Sequence, residues 1–133
     1  SRPRDAGRVL IADDNAVNTL LATRALTSAG FRVDTAGTGA EALERAGEVE
    51  YDVIFMDIRM PVMDGLEATR RIRRLSGSAS TTPVVAITAD INPELEGRAE
   101  AAGVNQLAAK PIDPLQLRKL AELWTGSRVQ AAE

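Results

Sequence analysis

The stretch Val53-Ile54-Phe55-Met56-Asp57-Ile58-Arg59-Met60-Pro61-Val62-Met63-Asp64-Gly65 decides the fold. Its first four residues are uninterrupted apolar, the mark of a strand buried on both faces of a parallel sheet, and a single carboxylate, Asp57, stands where the run stops. Pro61 extends neither strand nor helix pairing, and Asp64-Gly65 opens a helical pattern striped by Leu66, Thr69 and Ile72. Asp57 is therefore placed at the lip between strand and loop, which in a doubly wound sheet is where ligands bind. On this stretch alone, a helix N-cap or an ordinary loop acid is an equal alternative.

The same strand-then-helix pattern repeats on either side. Residues 1–7 are polar and contain Pro3 and Gly7, which predicts a flexible leader. Val9-Leu10-Ile11-Ala12 is an apolar run broken by Asp13-Asp14-Asn15; Asn15 can cap a helix whose Val17, Leu20, Leu21, Ala25 and Leu26 fall at helical spacing up to Gly30. Phe31, Val33 and Thr35 alternate with Arg32 and Asp34 as a second strand, and Thr38, Gly39 and Glu41 lead into a short helix through Leu43. Residues 76–82 are small and polar, as in a flexible loop. Val84-Val85-Ala86-Ile87 is a further apolar run ending on Thr88, and Asn92 or Pro93 starts a helix that stops at Gly103. Residues 104–108 are the weakest strand candidate and lead to Lys110-Pro111. Leu117, Leu120 and Trp124 stripe a last helix from about Asp113, and residues 125–133, with little to bury, predict a loose tail. Five strand–helix units make one α/β domain over residues 8–124, with a parallel sheet and helices on both faces.

Composition narrows the chemistry. At 133 residues the chain is one domain, large enough to bury a core without staples; 44% hydrophobic and 26% charged residues are ordinary for a globular protein. A formal net charge of -3 argues against direct contact with nucleic acid, and the cluster Arg70, Arg71, Arg73, Arg74 is expected to be a solvated helix end that complements the helix dipole. Without cysteine there are no disulfides or thiolate metal sites; without histidine there is no imidazole catalysis and no phosphohistidine formed within the chain. No apolar run approaches a membrane span and no signal peptide opens the sequence, so the cytoplasm is the expected location. A start at Ser1 in place of Met fits a module excised from a longer protein.

Polar residues fall at the strand ends. The first strand runs into Asp13-Asp14, the third ends on Asp57, the fourth on Thr88 and the fifth on Lys110. Parallel strands point their carboxyl ends to one edge, so these five groups share a pocket. Two carboxylates about 4 Å apart repel by roughly 4 kcal/mol at an effective dielectric near 20, and a hard divalent cation resolves that conflict. Mg²⁺ takes oxygen ligands and keeps several waters, which suits one or two carboxylates, a backbone carbonyl and an incoming phosphoryl oxygen. Lys110 adds a fixed positive charge and Thr88 a hydroxyl donor, completing an anion-transfer site with a carboxylate nucleophile.

In their order, Asp13-Asp14, Met-Asp-Ile-Arg-Met-Pro around Asp57, Val-Ala-Ile-Thr-Ala up to Ala89, and Lys110-Pro111 resemble the receiver domain of two-component response regulators. The resemblance spans about Arg8 to Trp124. It implies the flavodoxin-like fold, a three-layer α/β/α sandwich with five strands in the order 2-1-3-4-5 and five helices. It also implies that Asp57 is the phospho-acceptor, that Asp13, Asp14 and the Arg59 backbone carbonyl hold Mg²⁺ beside it, and that Lys110 and Thr88 bind phosphoryl oxygens and drive a conformational switch. The donor is then a histidine kinase or a histidine phosphotransfer domain, since this chain has no histidine. Asn15 and Asn18 make Asp-Asp-Asn-Ala-Val-Asn resemble receivers fused to hybrid histidine kinases, which would put the domain in the cytoplasmic part of a membrane-anchored kinase and make the full-length protein an enzyme. A stand-alone response regulator is the alternative; in either setting a monomer or weak dimer is expected, and on its own the domain catalyses only its own phosphorylation and dephosphorylation.

One position departs from the family. Tyr or Phe usually stands three residues before the lysine, where Leu107 stands here, so the usual aromatic readout of the switch is in doubt. Arg59 and Asp90, two residues past the nucleophile and the threonine, lie at the pocket rim; they either gate the attacking water or are solvated, pairing for less than about 1 kcal/mol. A haloacid-dehalogenase-type phosphatase needs a second acid two residues after its nucleophile, and Asp57-Ile58-Arg59 lacks it. A flavodoxin-type nucleotide binder needs a phosphate loop after the first strand, where Asp13-Asp14 would repel phosphate. A pseudo-receiver, a binding module that takes no phosphate, is the remaining alternative.

Overall fold

The computed structural model describes residues 6–132, with side chains through Gly126. Five strands, β1 (Gly7–Ala12), β2 (Phe31–Ala36), β3 (Val53–Asp57), β4 (Val84–Thr88) and β5 (Gln106–Ala109), alternate with five helices, α1 (Ala16–Ser28), α2 (Gly39–Glu48), α3 (Gly65–Arg73), α4 (Pro93–Ala102) and α5 (Pro114–Ala132). All strand pairs are parallel and the order is β2-β1-β3-β4-β5, the flavodoxin-like order. In register, Ala12 faces Met56, Asp57 faces Ile87 and Thr88 faces Ala109, so at their carboxyl ends neighbouring strands among β1, β3, β4 and β5 finish within one residue of each other.

The core explains why the strands are continuously apolar. Successive strand residues point to opposite faces, and here both faces are covered. Leu10, Ile54, Met56 and Val84 pack with Ala42 and Ala46 of α2 and Ala68 and Ile72 of α3. Val9, Ile11, Val53, Phe55 and Val85 pack on the other face with Leu26 of α1 and Leu117, Leu120 and Ala121 of α5. A smaller cluster joins Ala86 and Leu66 to Leu95 and Ala99 of α4. Val53, Ile54, Phe55 and Met56 are all 0% exposed; each such side chain contributes about 1.5–3 kcal/mol, enough to hold one costly carboxylate at the strand end.

The helix starts are chemically specified. Asn15 accepts from the Val17 and Asn18 backbone N–H groups, Thr38 from Glu41, Asp64 from Glu67 and Asn92 from Leu95, and Gly103 ends α4 in the left-handed conformation. Asp64 also ties the loop after β3 to the start of α3, fixing the path that leaves Asp57.

Several expectations need correcting. β1 begins at Gly7, two residues early, because Gly7 and Arg8 pair with Phe31 and Arg32; residues 1–5 of the expected leader lie outside the described residues. α2 runs to Glu48 rather than Leu43, since Ala46 supplies one more buried turn. Residues 77–81 form a 3-10 turn rather than a flexible loop: the hydroxyls of Ser80, Thr81 and Thr82 bond back to the carbonyls of Gly77 and Ser78. β5 starts at Gln106, because Asn105 is used as a linker whose side-chain oxygen accepts from the Val84 N–H and from Arg73. α5 continues to Ala132, past the boundary expected at Trp124. α1 buries only Leu26 fully, and leaves Val17, Leu20 and Leu21 more than half exposed.

The arginine cluster divides in two. Arg70 and Arg71 pair with Glu67 on the surface, as a dipole-complementing helix end would. Arg73 instead turns inward: its guanidinium donates to the carbonyls of Gly103 and Thr82 and to Asn105 at 2.8–3.0 Å, tying α3 to the starts of β4 and β5. Burial lowers the pKa of Arg73, and this fan of acceptors offsets its desolvation.

Candidate functional site

Asp57 is the last residue of β3 and is 3% exposed. Asp13 and Asp14 follow β1 directly, with Asp13 held to the neighbouring strand by its N–H bond to the Ala36 carbonyl. One carboxylate oxygen from each of Asp13, Asp14 and Asp57 lies within 4.8 Å of the others. Lys110, one residue past β5, places its Nζ 3.0 Å from Asp57 Oδ1, and its backbone N–H donates to the Thr88 carbonyl at 2.8 Å. The Lys110-Pro111 peptide bond is cis. The Arg59 N–H donates to the same Oδ1 at 3.2 Å. Asp57 Oδ1 is thus committed twice, while Oδ2 has no protein hydrogen bond among the described residues.

The electrostatics are those of a loaded pocket. Burial, and secondarily the charge of Asp13, push the Asp57 carboxyl above its ordinary range; the Lys110 hydrogen bond and charge and the Arg59 N–H oppose this without cancelling it. Three carboxylates face one ammonium, so the pocket carries two surplus negative charges made of hard oxygen donors. That donor set fits a hard divalent cation, and it offers no soft or nitrogen ligand.

Other expected residues are near the site with different engagements. The Thr88 hydroxyl is occupied within its own loop, bonding the Asp90 backbone at 3.3–3.4 Å. Asp90 accepts from the Asn92 side chain, and among the described residues Arg59 and Asp90 form no ion pair across the rim. Arg59 lines an open cleft of about 520 Å³ with Asp14, Met60, Asp64 and Arg98. Leu107 is half-buried, opposite Ala86 in register, and packs inward on the cluster that includes Ile58 and Leu66.

Two supporting residues escape a reading of types and spacing. Gly65 lies against the Asp57 backbone: a Cβ there would collide with the Asp57 carbonyl and the Met56 side chain, so only glycine lets α3 start this close to the acid. Asn18 reaches from α1 to Asp13 Oδ2 at 3.3 Å. The dipeptide Asp64-Gly65 marks the opening of a helical pattern, but nothing in the sequence signals what the glycine touches.

Comparison with known proteins agrees with this geometry. A protein-family model described as "Response regulator receiver domain" matches residues 9–122. The chain is 40% identical over 114 residues to "Hybrid signal transduction histidine kinase G" of Dictyostelium discoideum, covering 84% of this chain and 3% of that one. It is 40% identical over 114 residues to "Two-component response regulator ORR41" of Oryza sativa subsp. japonica, covering 83% and 87% respectively. In structure it is similar to the receiver domain of sensor histidine kinase PA1611 from Pseudomonas aeruginosa PAO1, solved with a magnesium ion coordinated in its active site cleft, at a TM-score of 0.82 and 34% identity over 90% of this chain and 98% of that one. The chain therefore spans a small fraction of its hybrid-kinase relative and nearly all of a relative of its own size. With buried Asp57, the Asp13-Asp14 pair and Lys110 converging on one sheet edge, and the family model spanning nearly the whole domain, this chain belongs to the response regulator receiver domain family.

Proposed function

We propose that Asp57 is the residue that accepts the phosphoryl group, in a two-component phosphorelay. The observation that carries this is the placement of a buried carboxylate 3.0 Å from Lys110 and within 4.8 Å of two further acids. One Asp57 oxygen is already engaged by Lys110 and the Arg59 N–H, which leaves Oδ2 available. In the transfer, a carboxylate oxygen attacks phosphorus in line, a P–O bond forms, and the P–N bond to the donor imidazole breaks with its electron pair returning to nitrogen. Lys110 moves from Asp57 onto a phosphoryl oxygen, and the Thr88 hydroxyl leaves the Asp90 backbone to donate to another. Asp13, Asp14, Asp57 and the Arg59 carbonyl would hold Mg²⁺, which supplies positive charge to the phosphoryl oxygens. Reduction of the phosphorylated protein with borohydride converts an aspartyl phosphate to homoserine; peptide mass spectrometry is expected to find homoserine at position 57, and homoserine at another position would overturn the assignment.

The donor in this reading is a histidine kinase or histidine phosphotransfer domain. A groove of about 550 Å³ between α1 and α5, bordered by Asp13, Asn18 and Lys110, lies beside the acceptor, and the exposed Val17, Leu20 and Leu21 of α1 provide apolar surface for a partner helix. The domain, residues 8–124, acts as a monomer or weak dimer, as the receiver module of a hybrid sensor histidine kinase working in the cytoplasm. Among the described residues no helix is long and apolar enough to cross a membrane. The full reading frame tests the hybrid assignment: a kinase core in the same polypeptide supports it, whereas an independent short frame like that of the rice relative, or fusion to a DNA-binding domain, overturns it.

A further inference from the structure

We propose that Asn18 is a positioning residue for the metal-binding acid Asp13, and that the second asparagine of Asp-Asp-Asn-Ala-Val-Asn is therefore part of the site rather than an exposed helix residue. The inference rests on the reading above that Asp13 helps to hold Mg²⁺. Asn15 and Asn18 have different tasks. The Asn15 side chain is spent on capping α1, accepting from the Val17 and Asn18 N–H groups at 3.0 and 3.1 Å. The Asn18 side chain is free of that duty, and its Nδ2 donates to Asp13 Oδ2 at 3.3 Å while the Asn15 N–H donates to Asp13 Oδ1 at 2.8 Å. Each oxygen of Asp13 is therefore held by one donor, which fixes the rotation of the carboxylate and leaves a lone pair on each oxygen for the ion or its waters. Without Asn18 the carboxylate is tethered at one oxygen and free to turn about that bond.

A small ion with strict octahedral demands is sensitive to such freedom. Loss of an outer-shell partner commonly costs roughly 10–100-fold in metal affinity; Asn18 is exposed and its bond is long, so Asn18→Ala is expected to weaken Mg²⁺ binding by about 3- to 10-fold. The test is Mg²⁺ titration of the whole chain followed by calorimetry and by the amide shifts of Asp13 and Asp57. Thr19→Ala serves as a control on the same helix turn, since the Thr19 hydroxyl bonds only backbone carbonyls of α1 and its cap. A loss confined to Asn18→Ala, with the metal-free unfolding midpoint unchanged, supports the proposal. Equal affinity of Asn18→Ala and wild type, or an equal loss in Thr19→Ala, overturns it while leaving the site reading intact. Absence of Mg²⁺ binding by wild type overturns both.

Discussion

Replacing Asp57 by Asn should make the metal-free protein more stable, because the site is held together against its own charge. With an effective dielectric near 20, the Asp57–Asp13 and Asp57–Asp14 pairs, no more than 4.8 Å apart, each repel by at least about 3.5 kcal/mol. The attraction to Lys110 at 3.0 Å returns about 5.5 kcal/mol on the same scale. The balance, about 1.5 kcal/mol of repulsion, adds to the cost of burying a carboxylate, while exposure of Asp14 and partial exposure of Lys110 soften both sides. The asparagine amide in Asp57→Asn keeps the shape of the carboxylate and the capacity to accept from Arg59 and Lys110. We expect Asp57→Asn to gain about 1–2 kcal/mol, or about 3–10 °C in midpoint, in chelator at neutral pH. The pH dependence has a definite sign. The folded carboxyl keeps its proton above the ordinary value of 3.8, so the wild type loses stability as pH rises from that value through the raised folded one, and the gap between the proteins closes below it. Mg²⁺ held by the folded wild type, as proposed above, should narrow the gap from the other side. Thermal unfolding of both proteins in chelator across pH reads this directly; a mutant no more stable than wild type at neutral pH would refute the charge balance.

Other outcomes follow from single contacts. Gly65→Ala forces a Cβ into the Asp57 carbonyl, so urea unfolding should show a loss of at least about 1–3 kcal/mol, with perturbed amide shifts at Asp57. Arg73→Lys keeps the charge but cannot span Gly103, Thr82 and Asn105 together, and should cost about 2 kcal/mol by the same assay. Because Leu107 already packs inward and has no phenol to move, phosphorylation should shift amide resonances modestly over residues 93–124; large shifts throughout that segment would contradict this.

Local chemistry made most of the architecture legible. Continuous apolar runs at Val53 and Val84 identified strands covered on both faces, and Asn15, Asp64 and Asn92 marked helix starts because each cap is a bond between neighbours in sequence. The convergence of Asp13, Asp14, Asp57 and Lys110 followed from strand direction alone. What stayed hidden depends on contacts between distant residues. Arg73 is one of four arginines within residues 70–74, and only the packing of α3 against Gly103 turns it inward. Asn105 starts β5 late because it serves Val84, 21 residues earlier. Residues 77–81 form a turn through hydroxyl bonds whose small polar residues suit a loop equally well. On α1, helical spacing of apolar residues was real, yet Val17, Leu20 and Leu21 face outward; periodicity shows that a stripe exists and not that the protein itself covers it.

The most direct test of the central claim is intact-mass spectrometry after incubation with a small phospho-donor and Mg²⁺, on wild type and Asp57→Asn, with a chelated control. A single added phosphate on wild type, lost in the mutant and in chelator, is the predicted result. A wild type that gains no phosphate, or a mutant that gains it equally, would contradict the claim that Asp57 is the acceptor.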